Sequence, residues 1–210
     1  METSPPTTPI QGRAGLPGSP ILPPATIGIL GGGQLGRMLA LAARAMGYRV
    51  AVLDPDPDCP AAAVADRVVV GSYDDVGAAL RLADLSAVVT YELEHVAADV
   101  VAALEVRLPV RPGHRPLTVT QDRLAERRFV EAAGIAVAPW REVRSVGEAR
   151  AAATELGLPI RLKLPIGGYD GRGQLRIADA SQLDGAWGRL GRAPGAVLLA
   201  EQEQVFDCEL

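Results

Sequence analysis

Lys163 closes the strand expected from Ile160 to Lys163. Four residues later begins Gly167-Gly168-Tyr169-Asp170-Gly171-Arg172-Gly173-Gln174, with four glycines in its first seven positions. Backbone amides unshielded by side chains can wrap the oxygens of a polyphosphate, and a strand lysine beside them can neutralise its charge. A second loop, Gly31-x-Gly33-x-x-Gly36, follows the short apolar run Thr26 to Leu30, and Asp54 ends the next such run. Strand, glycine turn, helix and a later acid form the pattern that holds a dinucleotide at a helix N-terminus. The same turn serves other phosphate-bearing ligands, or simply lets helix and strand pack closely. All three readings stay open on this loop alone.

The elements that must position these groups fall into two patterns. From Thr26 to Val110, strands alternate with helices. Helix Arg37 to Met46 stops at Gly47, and strand Arg49 to Leu53 ends in Asp54-Pro55-Asp56-Pro57, a turn built by Asp and Pro chemistry. Strand Arg67 to Val70, helix Asp74 to Ala83, strand Ala87 to Thr90, helix Ala97 to Val106 and a strand at Val110 continue the order. Alternation at this spacing predicts βαβ units around a parallel sheet, with ligands at the C-terminal ends of its strands.

After Arg111 to Pro116 a long helix is expected from Leu117 to Ala133, stopping at Gly134. The pattern then changes to strand Trp140 to Val143, a helix opened by a Ser145/Glu148 capping box, strands Ile160 to Lys163 and Gln174 to Ile177, helix Gln182 to Leu190 and strand Ala196 to Ala200. That is a small α+β unit. Trp140 and Trp187 read as packing residues, and His95 as a helix-start residue.

Composition excludes several classes. The net charge of -4 lacks the basic excess of a nucleic-acid binder. Cys59 and Cys208, the two cysteines, have no metal-like spacing and suit a reducing cytoplasm. No apolar run reaches the ~20 residues of a membrane helix. Residues 1–25 hold seven prolines and read as a disordered tail, leaving 26–113 for the first domain and 114–210 for the second.

The flap Gly-Gly-Tyr-Asp-Gly-Arg-Gly-Gln (Gly167 to Gln174) resembles that of N5-carboxyaminoimidazole ribonucleotide synthetases, and so does Gly-Gly-Gly-Gln-Leu-Gly-Arg-Met (Gly31 to Met38). Asp54 to Pro60, Ala65-Asp66, Thr90 to Val96, Gln121-Asp122-Arg123 and Ala138-Pro139-Trp140 follow that family's pattern in order and spacing, so the resemblance covers about residues 26 to 210. It implies a Rossmann-like pre-ATP-grasp domain followed by part of an ATP-grasp domain, with a third domain missing. It also implies a carbon–nitrogen ligase of purine biosynthesis that carboxylates 5-aminoimidazole ribonucleotide with bicarbonate through carboxyphosphate. ATP and Mg2+ are the implied cofactors, the magnesium ligands being expected in the missing domain; the chain by itself is therefore expected not to turn over.

Residue by residue, the resemblance places Arg123 and Lys163 on ATP phosphates and closes Gly168, Tyr169, Asp170, Gly171, Arg172, Gly173 and Gln174 over them. Lys163 and Arg172 carry the catalytic charge. It gives Glu201, Gln202, Glu203 and Gln204 to adenine and Glu209 to the ribose, and Gln34, Leu35, Glu92, Tyr169, Asp170 and Arg172 to the imidazole substrate. Dimerisation is in keeping with it; nucleic acid and membrane are not expected partners. The chain departs from the pattern at Leu164-Pro165-Ile166, where basic residues are usual, and at Arg161, where an apolar residue is usual. Arg161 is expected either to weaken ATP binding or to compensate for the lost basic residues. Two rivals remain: an NAD-binding oxidoreductase resting on the first glycine loop and Asp54, and a non-catalytic nucleotide-binding remnant.

Overall fold

The computed structural model describes residues 20–167 and 173–208. The chain divides after Leu117 into two compact units.

In the first unit, β1 (Thr26–Leu30), β2 (Arg49–Asp54), β3 (Arg67–Val70) and β4 (Val88–Tyr91) form an all-parallel sheet in the order β3-β2-β1-β4. Helices α1 (Gln34–Ala45), α2 (Val76–Leu85) and α3 (Ala98–Glu105) connect and cover it, and α4 (His114–Gln121) contains the division point. The two-residue period of a strand assigns each side chain to a face. Ile29, Val50 and Val52 pack with Ala40 and Ala43 of α1. Leu30, Ala51, Leu53, Val69 and Val89 face the other way, onto Ala78, Ala79 and Leu82 of α2 and Val100, Val101 and Leu104 of α3. Both faces are covered, which is why the central strands read as near-continuous apolar runs. The strand expected at Val110 is a single parallel bridge to Val89. Pro109 and Pro112 flank it and lack N–H donors, so the ladder does not extend.

In the second unit, α5 (Arg123–Ala132) precedes β5 (Trp140–Val143), α6 (Val146–Leu156), β6 (Ile160–Lys163), β7 (Gln174–Ile177), α7 (Leu183–Leu190) and β8 (Leu198–Gln202). Its sheet is antiparallel, in the order β5-β8-β6-β7. Val143, Ile160, Leu162, Ile177, Leu198 and Ala200 form one face, packed on the alanines of α6 and on Leu183 and Ala186 of α7. By the same period Arg161, Lys163, Gln174, Arg176 and Glu201 occupy the opposite face.

Two expectations need correction. The single helix expected from Leu117 to Ala133 is two helices, because Asp122 adopts an extended conformation (φ -117°, ψ 110°) and caps α5. Its carboxylate accepts from Leu124 N (2.8 Å) and Ala125 N (3.4 Å). Asp122→Ala is expected to lower stability by about 1 kcal/mol in urea unfolding, the usual worth of such a cap. At α6, Ser145 accepts from Glu148 N (3.1 Å), but the Glu148 carboxylate accepts from Arg144 N (2.8 Å), one residue before the cap, so the reciprocal half of the box is shifted by one.

Candidate functional site

Parallel strands end on the same edge of their sheet. The C-terminal ends of β1, β2 and β4 therefore bring Gly31 to Gly33, Asp54 and Glu92 together. Gly31 has φ +107°, and a Cβ there would lie 2.4 Å from Leu93; a Cβ on Gly36 would lie 2.2 Å from the Gly31 carbonyl oxygen. These two positions require glycine, one for conformation and one for the close seating of α1.

The loop amides are already engaged. Gly31 N donates to Leu53 O (3.0 Å) and Gly32 N to Asp54 Oδ2 (2.8 Å), while Gly33 N donates to the Glu92 carboxylate. Asp54, 7% exposed, also accepts from Tyr73 Oη (2.6 Å) and Asp56 N (2.9 Å). Burial, then the hydrogen bond and charge of Asp54, push the Tyr73 phenol well above its ordinary value, so it remains a donor. Glu92 is pushed up by burial and by the charges of Asp54 and Glu94, the Gly33 amide pulling the other way. Gln34 and Leu35, exposed on the first turn of α1, follow the same loop directly. The first glycine loop is thus a packed turn braced by two carboxylates, with one of them, Glu92, part-exposed.

In the second unit, β6 and β7 pair up to Lys163 opposite Gln174, and Leu164 N donates to Gly173 O (2.8 Å). Lys163 therefore stands at the root of the glycine hairpin. Its ammonium donates to Glu201 Oε2 on β8. Arg127 meets the other oxygen of the same carboxylate, through Nε (2.8 Å) and Nη2 (2.7 Å). Burial would raise the Glu201 carboxyl, but Lys163 and Arg127 outweigh it and hold the group below the usual carboxylate range.

Arg123, the first residue of α5, donates its Nη1 to Leu164 O (2.9 Å) and its amide to Pro165 O (2.9 Å), so the segment after Lys163 is tied to the start of that helix. Gln202 N donates to Pro139 O (2.9 Å) and Glu203 N to Pro159 O (3.1 Å), while the Gln202 side chain reaches Leu156 O (2.7 Å) and Gln204 Nε2 reaches Gln202 Oε1 (3.2 Å). Gly168, Tyr169, Asp170, Gly171, Arg172 and Glu209 lie outside the described residues, as do residues 1–19 of the proline-rich tail.

Arg161 is engaged in an ion pair. It donates to Glu203 Oε1 (2.7 Å), and Arg176 on β7 donates to the other oxygen of the same carboxylate (2.7 Å). Arg161 and Arg176 are direct cross-strand neighbours. Like charges so placed repel, and the shared Glu203 offsets them.

Arg127 is the member of the cluster that sequence reasoning missed. The signal was its place four residues after Arg123, which puts both guanidinia on one side of α5 once that helix begins at Asp122.

Residues 24–121 match the family model of the ribonucleotide synthetase pre-ATP-grasp domain, and residues 128–210 match that of the ATP-grasp domain. Fold and cluster together define an ATP-grasp protein. A protein of Brucella melitensis, N5-carboxyaminoimidazole ribonucleotide synthase, is 44% identical over 174 residues, 82% of this chain and 48% of that one. The crystal structure of the Staphylococcus aureus synthetase complexed with ADP is 37% identical with a TM-score of 0.79, over 85% of this chain and 47% of that one. The Aspergillus clavatus synthase in complex with ADP and 5-aminoimidazole ribonucleotide is 29% identical with a TM-score of 0.77, over 87% and 47%. The chain belongs to the N5-carboxyaminoimidazole ribonucleotide synthase family. It spans just under half the length of the curated relatives it matches.

No helix among the described residues is long and apolar enough to cross a membrane.

Proposed function

We propose that this chain binds ATP through its second unit and 5-aminoimidazole ribonucleotide through its first, as the corresponding part of an ATP-dependent carboxylating ligase. The observation that carries the reading is the placement of Lys163 at the root of the glycine hairpin, beside Glu201 and Arg127. A cation held in a part-buried cluster interacts with phosphate more strongly than one in open solvent. Relatives of this family bind ADP and 5-aminoimidazole ribonucleotide, which supports the same ligands here.

In the reaction, bicarbonate oxygen attacks the γ-phosphorus of ATP, giving carboxyphosphate and ADP. The exocyclic amine of 5-aminoimidazole ribonucleotide then takes the carboxyl group as phosphate leaves. Phosphoryl transfer of this kind asks the protein mainly for orientation and charge stabilisation. Lys163 and Arg172 supply charge to the phosphates, Arg123 fixes the segment that follows Lys163, and the amides of Gly168 to Gly173 with Gln174 enclose them. The segment Glu201 to Gln204 meets adenine. Since the amides of Gln202 and Glu203 already donate within the chain, donation to the base falls to Gln204 onward and acceptance to the carbonyls. Glu209 takes the ribose hydroxyls as a double acceptor. Within the first unit, Gln34, Leu35 and Glu92 hold the imidazole ribonucleotide. Glu92, its carboxyl raised by burial, is suited to share a proton with the substrate amine.

Magnesium, when bound with ATP, would supply positive charge to offset the negative charge of the phosphates. Among the described residues no group of three or more His, Cys, Asp or Glu converges as a metal site, so no residue here is assigned to it. The alternative of a dinucleotide in the first unit needs an Asp54 carboxylate open to a ribose, whereas that group already accepts three hydrogen bonds.

Isothermal titration of the chain with ATP, ADP, 5-aminoimidazole ribonucleotide and NADH is the test. Saturable binding of the first three with no NADH binding is expected. NADH binding in the absence of ATP binding would overturn the proposal.

A further inference from the structure

Lys163 is the single lysine of the chain, against twenty arginines. It is paired with Glu201, a carboxylate 6% exposed on its side chain. A lysine and a glutamate alone form a neutral pair, and a neutral pair attracts a polyphosphate weakly. Arg127 changes that sum. Its Nε and Nη2 both meet Glu201 Oε1, while Lys163 meets Oε2. Two cations share one carboxylate, and the cluster keeps one net positive charge. Glu126 offsets this only in part: its carboxylate pairs with Arg127 Nη1 at 3.8 Å, too far for a hydrogen bond, and at 39% exposure it is screened by solvent more than Glu201. Arg161 and Arg176 share Glu203 in the same 2:1 way, so the neighbouring triad adds positive charge and does not remove it. Arg127 also falls between the two matched regions, 24–121 and 128–210.

We propose that Arg127 is a positioning residue of the phosphate site: it satisfies Glu201 so that the charge of Lys163 remains available to an anionic ligand. The inference rests on the nucleotide reading for the identity of that ligand, but the charge balance itself is testable without a nucleotide. A single lysine makes the amine chemistry unambiguous, since a mass-mapped adduct on the Lys163 peptide is separable from one on the N-terminal amine.

The experiment compares two aldehydes on the full chain, pyridoxal 5′-phosphate, which is anionic, and formaldehyde, which is neutral. Each condenses with the amine to an imine with loss of water, and added borohydride reduces the imine to a stable amine. The ratio of the two rates on Lys163 reports attraction for an anion, with intrinsic amine reactivity divided out. Arg127→Met is expected to lower that ratio about fivefold or more, as removing one close charge from a part-buried site should. Glu201→Gln is expected to hold or raise it, because two cations then lack their counter-ion. An unchanged ratio in Arg127→Met overturns the proposal, and so does an absence of pyridoxal phosphate adduct on wild-type Lys163. If circular dichroism shows Arg127→Met unfolded, the Glu201→Gln arm decides, a fall in its ratio being the overturning result. Protection of wild-type Lys163 by ATP tests the nucleotide reading separately: ratios that behave as expected without ATP protection leave Arg127 in its role and remove ATP as the ligand.

Discussion

Lys163→Met should bind ATP and ADP at least roughly 30-fold more weakly than the unaltered chain in isothermal titration, since losing one side of a close charge-assisted contact costs about 2–5 kcal/mol. The ammonium sits at the last paired position of β6, where the hairpin leaves the sheet, and its side chain is 15% exposed. Removing it leaves Glu201 and Arg127 as a neutral pair, which attracts a phosphate only weakly. The fold should survive, because Glu201 keeps the two-pronged contact from Arg127. Circular dichroism checks this. Adenosine, which has no phosphate, should bind equally well to both forms. Lys163→Arg should not restore affinity, because a planar fork cannot take the place of a compact ammonium at the same reach. Equal ATP affinity in Lys163→Met and the unaltered chain would remove this residue from the phosphate site.

Asp54→Ala should lower the stability of the first unit by about 3 kcal/mol or more, since each buried donor left without its acceptor costs roughly 1–3 kcal/mol. Three donors converge on this carboxylate: the Gly32 amide, the Asp56 amide and the Tyr73 hydroxyl. The Gly32 amide is buried and lies where the loop leaves β1, so water cannot replace the lost acceptor without opening the turn. For a unit of this size the loss corresponds to a fall in Tm on the order of 12 °C or more, measurable by circular dichroism. The glycine turn should loosen with it, weakening any ligand held by Gln34, Leu35 and Glu92. Asp54→Asn, which keeps one acceptor oxygen but turns an amide donor toward existing donors, should fall between the two. A melting temperature within a degree or two of the unaltered chain would show that the turn does not depend on this carboxylate.

Much of the fold was legible because its signals are local. The apolar runs Thr26 to Leu30 and Arg49 to Leu53 state a doubly covered strand through their own side chains, and Gly31 and Gly36 state a tight turn through their lack of a Cβ. Asp122 was not legible in that way. An acid in the middle of a polar helical stretch reads equally well as a surface residue or as a cap, and only the reach of its side chain to Leu124 and Ala125 distinguishes them.

The amino-acid sequence alone determined the family, the two patterns of alternating elements, and Lys163 beside a glycine hairpin. Tertiary structure decided which charge meets which. Lys163 meets Glu201 across 38 residues, Arg161 meets Glu203 across 42, and Arg127 meets Glu201 across 74. Local propensity carries no information about such pairs. They follow from β8 entering between β5 and β6 in one register, since a slip of a single residue would turn Glu201 to the apolar face. That register is set by the burial of Leu198 and Ala200 against α6 and α7, so the packing of the core side of the sheet dictates the electrostatics of the other.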